Sequence, residues 1–133
     1  MTAVYQSHAR ATEAAEKLKS YAQPQRLMIL SRLLDGEHTV GDIEEATGIG
    51  QPALSQQLAE LRRAALVQTR RAVKQVYYRL ASEDVALCMR SIEAMFGSGR
   101  DVAEALGEAL KGQPKPRPTA TRLAGAAVFA KIV

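Results

Sequence analysis

The chain has 133 residues, of which 47% are hydrophobic and 24% are charged, and its net charge is +4. This length favours one domain with a modest core, and the composition is that of an ordinary globular protein. The single cysteine, Cys88, excludes an intrachain disulfide and fits a reducing compartment. Because the N-terminal stretch is polar and no apolar run reaches the ~18–20 residues of a membrane helix, we expect a cytoplasmic protein without a membrane partner.

Two helices are predicted before Gly36. The segment from Ser7 to about Tyr21 is rich in helix formers, and its apolar side chains fall on one side of the helix: Ala11, Ala14, Ala15 and Leu18. Pro24 suits the first turn of a second helix that runs to about Leu34. Gly36 then predicts a left-handed cap that ends this helix.

The next segment predicts a helix-turn-helix. Thr39 and Asp42 have the spacing of a capping box and open a third helix that reaches about Thr47. Gly48-Ile49-Gly50 forms a short turn, and Pro52 stands at the start of a fourth helix that reaches about Ala65. Two short helices joined by a turn that contains glycine make up this motif.

The fourth helix is predicted to have one buried and one exposed polar face. At 100° per residue, a stripe of four apolar residues faces the core: Leu54, Leu58, Leu61 and Ala65. The opposite face carries Pro52, Ser55, Gln56, Ala59 and Arg63, and Gln51 and Arg62 flank the stripe. Amides, hydroxyls and guanidinium groups are the side chains that read base edges in a major groove, and the small Ala59 allows a close approach.

A basic β-hairpin follows. Val67–Arg71 and Val76–Leu80 predict two strands, and the connection from Ala72 to Gln75 has neither Gly nor Asn, so we expect a long, mobile tip instead of a two-residue turn. Three basic residues lie at or near this tip, where such a wing contacts phosphates or a minor groove: Arg70, Arg71 and Lys74. Tyr77 and Tyr78 alternate across the strand, and which of them enters the core stays open.

The C-terminal third predicts two more helices and a tail. Ser82 caps a helix that runs to about Phe96, with an apolar face of Val85, Cys88, Ile92, Met95 and Phe96. Gly97-Ser98-Gly99 breaks it, and Asp101–Leu110 is helical again. Residues 112–118 read as a Pro-containing linker, and the small, apolar tail after it has no assigned structure. We therefore predict one domain over residues 1–111 and a separate linker and tail over 112–133.

The charge distribution points to a polyanion as partner. Residues 50–80 carry six basic side chains and one acid, whereas residues 35–49 carry five acids and no Lys or Arg. One such helix reads only a few base pairs, so dimers on palindromic sites are the usual solution. The first helix and the Cys88 helix are predicted to form the dimer interface through Ala11, Ala15, Leu18, Cys88, Ile92 and Met95.

The segments PQRLMILSRLLDGEHTVGDIEEATGIGQPALSQQLAELRRAALV and TRRAVKQVYYRL resemble the ArsR/SmtB family of bacterial winged-helix repressors. GIGQPALSQQL and TRRAVKQVYYRLAS are similar to its BigR-like, sulfide-responsive thiol-switch branch. The resemblance implies a mainly α fold with a β-hairpin wing, ordered as four helices, two strands and a fifth helix. It also implies a dimeric repressor that binds double-stranded DNA at an operator, with contacts from Gln51, Ser55, Gln56, Arg70, Arg71 and Lys74.

This chain departs from the family's sensor sites. The thiol-switch branch uses two cysteines, and the matching positions here are Ser31 and Gly97, which cannot form a disulfide or persulfide bridge. The third helix begins at His38 to Asp42 without thiols, and the last family helix has no histidine, so we expect no metal and no cofactor. A small apolar inducer bound between the terminal helices, or constitutive repression, remains open.

Other interpretations come from different classes. Nucleophile–base pairs, phosphate loops and metal signatures are missing, which argues against an enzyme and leaves no catalytic residue to name. A winged helix can also dock proteins instead of DNA. Because Cys88 lies on an apolar stripe, we interpret it as a small hydrophobic residue of the core. The alternative is a redox or sulfur-responsive thiol. His8 and His38 read as ordinary surface residues.

Overall fold

The computed structural model describes residues 3–97 and 101–111. These residues form six α-helices and a three-stranded antiparallel sheet. The helices are α1 (His8–Tyr21), α2 (Pro24–Arg32), α3 (Val40–Thr47), α4 (Ala53–Arg63), α5 (Glu83–Phe96) and α6 (Val102–Leu110), and the strands are β1 (His38–Thr39), β2 (Val67–Ala72) and β3 (Gln75–Leu80). This order confirms the predicted winged helix-turn-helix and adds β1. The predicted linker and tail, and Ser98-Gly99, lie outside the described residues.

Side-chain caps fix the starts of three helices, of which the caps at Thr39 and Ser82 were predicted and the cap at Ser7 was not. The Ser7 hydroxyl accepts a hydrogen bond from the backbone N–H of Arg10 at 3.1 Å, and the Ser82 hydroxyl accepts from that of Val85 at 3.3 Å. Thr39 and Asp42 form a reciprocal capping box, in which both hydrogen bonds measure 3.1 Å. Since these caps satisfy backbone donors that have no partner inside the helix, short polar sequence signals determine where α1, α3 and α5 begin.

The end of α2 differs from the prediction. The helix stops at Arg32, and a 3-10 turn over Leu33–Asp35 follows it. Gly36 has φ 133° and ψ −165°, so its positive φ favours glycine but its backbone is extended, and the predicted left-handed cap is wrong. The reason is that the 3-10 turn closes the helix itself and the chain must extend at once into β1. The left-handed glycine cap belongs instead to Gly48, with φ 77° and ψ 5°, at the end of α3.

The fourth helix is shorter than predicted. It ends at Arg63, and Ala65 is exposed with φ 63°, so its predicted place in the buried stripe is wrong. The backbone N–H of Leu66 donates to the carbonyl of Leu61 at 2.9 Å, which is the closure of a Schellman-type cap. This closure turns Leu66 into the core in place of Ala65.

The sheet has the strand order β1-β3-β2. Ala72 pairs with Gln75, so a two-residue turn of Val73 and Lys74 joins the strands and the predicted long tip is wrong. Six consecutive residue pairs join β2 and β3, and we attribute the register to this ladder, which outweighs the unfavourable positive φ of 53° at the β-branched Val73. The strand β1 was missed because two residues carry no periodic signal without their partner strand.

The core lies where α2, α3, α4 and α5 meet the sheet. Its fully buried side chains come from each of these elements: Ile29, Leu30, Ile43, Leu54, Leu58, Leu61, Val67 and Met89. Tyr78 packs against this core, whereas Tyr77 lies on the other face of the sheet beside Arg70. The register of β3 therefore resolves which tyrosine enters the core. None of the helices within residues 3–97 and 101–111 is long and apolar enough to cross a membrane.

Candidate nucleic-acid interface

Helix α4 has one face in the core and one face in solvent. Leu54, Leu58 and Leu61 are at most 2% exposed, whereas Ser55, Gln56 and Ala59 on the opposite side are exposed. The turn between α3 and α4 holds the helix in place because Ile49 is buried, and its N–H donates to the Thr47 hydroxyl at 3.2 Å. The exposed face is therefore a polar strip on a rigid helix.

Gln51 has a structural task that sequence reasoning missed. Its side-chain oxygen accepts hydrogen bonds from the backbone N–H of Ser55 at 3.1 Å and from the Ser55 hydroxyl at 2.7 Å. The N-cap residue of α4 is Pro52, which has no side-chain acceptor, so Gln51 supplies the acceptor from one position further out. These hydrogen bonds use only the side-chain oxygen of Gln51. Its side-chain NH₂ group can donate hydrogen bonds to another partner.

The two arginines at the end of α4 differ in their surroundings. Arg63 forms an ion pair with Glu60 at 2.9 Å, one helical turn away, and Arg26 lies 4.0 Å from the same carboxylate. Arg62 is exposed and lines an open cleft of about 590 Å³ together with Gln68, Thr69 and Ser82. Because the Glu60 carboxylate offsets part of the positive potential around Arg63, the positive potential at this end of the helix is stronger around Arg62.

The wing carries its basic residues on two faces. Arg71 and Lys74 are exposed near the turn, as predicted. Arg70 lies three residue pairs from the turn, and its guanidinium stacks on the Tyr77 ring at 4.7 Å from the ring centre. Arg70 also binds Glu37 through two nitrogens, with Nη2–Oε1 at 2.7 Å. The hydrogen bonds from Arg70 lower the pKa of Glu37, and the same carboxylate raises the pKa of Arg70.

The predicted dimer residues fall into two groups. Leu18 and Met95 are 60% and 42% exposed, and Ala15 is exposed as well. Ala11 is half-buried, while Cys88 and Ile92 are half-buried and pack against the core of their own chain. Burial is the main cause that raises the pKa of Tyr21 at the end of α1, and the neighbouring Cys88 adds to this shift. Tyr21 belongs to the core against which Cys88 packs, so α5 meets the end of α1 inside one chain.

The comparisons with known proteins identify the family. Residues 23–69, from α2 to β2, match the profile described as "Bacterial regulatory protein, arsR family". The "Biofilm growth-associated repressor" of Xylella fastidiosa is 45% identical over 87 residues, which are 65% of this chain and 76% of the relative. This chain belongs to the arsR family of bacterial regulatory proteins. The predicted resemblance is confirmed.

Solved structures of the family show the same architecture. The transcriptional repressor BigR from Xylella fastidiosa matches with a TM-score of 0.65 and 41% identity, over 71% of this chain and 97% of that one. A winged helix-turn-helix DNA-binding domain from Mycobacterium bovis, described as homodimeric, matches with a TM-score of 0.58 and 33% identity over 70% of this chain and 84% of that one. The arsR-family fold of this chain therefore rests on both sequence and structure.

The two positions aligned above with switch cysteines of the family have a different chemistry here. The Ser31 hydroxyl of α2 donates a 2.6 Å hydrogen bond to the carboxylate of Glu93 in α5. At Gly97, an added Cβ would lie 2.6 Å from the Glu93 carbonyl oxygen, so a larger residue would displace backbone. Among the described residues, no group of three or more His, Cys, Asp or Glu side chains could hold a metal ion.

Proposed function

We propose that this arsR-family chain is a dimeric transcriptional repressor that binds a palindromic operator in double-stranded DNA. The observation that carries the proposal is the division of α4 into a buried leucine face and an exposed polar face, beside a basic hairpin. A helix with this division, held by the turn after α3, has the form that enters a major groove. The protein acts as a regulator and not as an enzyme.

Base recognition is assigned to the exposed face of α4. The Gln56 amide offers the donor and acceptor pair that matches adenine, and the Ser55 hydroxyl offers either role. Gln51 and Pro52 stand at the helix start, where Gln51 holds Ser55 in place and can still donate through its own amide. Ala59 leaves the middle of this face low, which permits a close approach to the floor of the groove.

Contacts to the DNA backbone are assigned to four exposed basic residues around α4 and the wing, Arg62, Arg63, Arg71 and Lys74, whereas the guanidinium of Arg70 is bound to Glu37 in the free protein. Arg71 and Lys74 are exposed near the hairpin turn, and Arg62 is exposed at the end of α4. Such cations neutralise phosphates without reading sequence, so each contact adds to the salt dependence of binding. We therefore expect a steep negative slope of log affinity against log salt.

Dimerisation is assigned to α1 and α5, which meet within one chain where Tyr21 and Cys88 pack in the core. Exposed apolar side chains on these helices would be covered by a second copy: Ala15, Leu18, Met95 and Phe96. Residues 1–111 would then form the DNA-binding and dimerisation domain, and residues 112–133 a separate segment.

The test is selection of bound duplexes from a random pool, followed by titration of the selected site. Wild-type protein should enrich one palindromic sequence, and replacing Ser55 and Gln56 together with alanine should reduce its preference over random duplex by about 10- to 1000-fold. The matched control replaces Glu13 and Lys17, exposed polar residues of α1, with alanine. No enriched site, or unchanged discrimination in the α4 double variant, would contradict the proposal.

A further inference from the structure

One face of the sheet carries a closed ion-pair cluster, which we call the Glu37 cluster: Glu37, Arg70 and Arg79. The Glu37 carboxylate accepts from Arg70 Nη2 at 2.7 Å and from Arg70 Nε at 3.0 and 3.1 Å. Nη1 of Arg79 lies 3.6 Å from the same carboxylate, and Nη2 of Arg79 donates to the Gln68 side-chain oxygen at 3.0 Å. One acid therefore holds two of the basic side chains of the wing.

The strand register explains why these side chains meet. His38 pairs with Tyr78 and Thr39 with Tyr77, so Glu37, just before β1, lies beside Arg79 of β3. On the other side of β3, Arg70 pairs with Tyr77 and Gln68 with Arg79. Because side chains alternate along a strand, these residues share the face of the sheet that points away from Tyr78 and the core.

The geometry at Arg70 is that of a specific pair and not of a chance surface contact. A guanidinium that offers two nitrogens to one carboxylate uses the fork with which arginine also binds phosphate. The Glu37 and Arg70 side chains are 28% and 47% exposed, and the Tyr77 ring covers one side of the guanidinium. Water and salt therefore screen this pair less than a fully solvated one.

We infer that Glu37 limits the affinity of the wing for DNA by occupying the guanidinium fork of Arg70 that would otherwise bind a phosphate. The inference rests on the proposed function and deepens it. The cluster combines one acid with two bases, so it presents a net charge of about +1 to DNA and not +2. Arg71 and Lys74 are exposed and form no ion pair with another described residue, so their charges are available to phosphates.

Salt dependence measures this directly. When salt rises from 50 to 200 mM, the affinity falls by about fourfold for each phosphate contact that the protein makes. The probe is a fluorescein-labelled random-sequence duplex of about 30 base pairs, whose binding depends on backbone contacts alone. Fluorescence anisotropy titrations in this salt range compare wild type with Glu37→Gln, Arg70→Gln and the double variant. Arg71→Gln reports a cation in contact with DNA, and Glu45→Gln removes one acid from the exposed surface of α3.

The expected pattern is a coupling between Glu37 and Arg70. Arg70→Gln in the wild-type background should change the salt slope by less than about 0.3, whereas Arg71→Gln should reduce it by about 0.9. Glu37→Gln should steepen the slope by about 0.9, and adding Arg70→Gln to it should remove that gain. Glu45→Gln should change the slope by much less than Glu37→Gln does.

A second variant leaves Glu37 in place. Arg70→Lys keeps the charge but cannot form the two-nitrogen fork, so Glu37 holds it more weakly and the slope should steepen as in Glu37→Gln. The inference is overturned if Arg70→Gln alone costs a full phosphate contact, or if folded Glu37→Gln binds more weakly than wild type. Either result leaves the proposed function standing, whereas failure of wild type to bind any duplex would overturn both.

Discussion

Gln51 caps α4, and two different substitutions of this residue are expected to change helix stability and DNA binding separately. Its side-chain oxygen accepts from the backbone N–H and from the hydroxyl of Ser55, at 3.1 and 2.7 Å. Gln51→Ala removes the acceptor and leaves that backbone donor to water. Gln51→Glu keeps an acceptor at the same place and adds a negative charge at the N-terminus of the helix. We therefore expect Gln51→Ala to be less stable than wild type and Gln51→Glu to be at least as stable as wild type.

The magnitudes follow from the geometry. Loss of a capping acceptor costs about 0.5–2 kcal/mol, which for a domain of this size lowers Tm by about 2–8 °C. The carboxylate of Gln51→Glu recovers the cap and interacts with the helix dipole by about 0.3–1 kcal/mol. In the DNA complex the same carboxylate would face phosphates, and one like-charge contact of about 1–3 kcal/mol weakens binding roughly 5- to 160-fold.

Thermal unfolding and operator titration test both halves of this prediction. Gln51→Ala should unfold at lower temperature with intact helix content before the transition, and Gln51→Glu should unfold at or above the wild-type temperature while losing DNA affinity. Gln25→Ala, at a half-buried amide in α2, serves as a control for removal of a glutamine. The reasoning fails if Gln51→Ala unfolds like wild type, or if Gln51→Glu binds the operator with wild-type affinity.

Three further predictions concern stability and assembly. Ser31→Ala removes the 2.6 Å hydrogen bond to Glu93 and should lower the free energy of unfolding by about 1–2 kcal/mol in urea titrations, whereas unchanged stability would show that the contact is dispensable. The capping box lowers the pKa of Asp42 below its ordinary 3.8, so its contribution is present above that value and is lost as pH falls through the folded-state pKa; Asp42→Asn should flatten the stability curve in this range. Leu18→Glu combined with Met95→Glu should convert the dimer to monomer in sedimentation velocity, and a dimer that persists would place the interface elsewhere.

Sequence alone determined the parts of this protein that depend on local spacing. The leucines of α4 repeat with the helical period, so its two faces follow from the order of residues, and only its last turn was misjudged at Ala65. Ser7, Thr39 and Ser82 cap helices through contacts to residues three positions away. The family was evident from the same segment, since the helix-turn-helix and the hairpin are contiguous in the chain.

Tertiary structure decided what depends on contacts between distant residues. The pairing of His38 and Thr39 with β3 creates β1, and the six-pair ladder brings about the tight turn at Val73 that local preference disfavours. The same register sends Tyr78 to the core and brings Glu37 to Arg70, across 33 positions of sequence. These features were beyond the reach of residue patterns because strand neighbours and ion pairs are set by the packed sheet, and not by the identity of the next few residues.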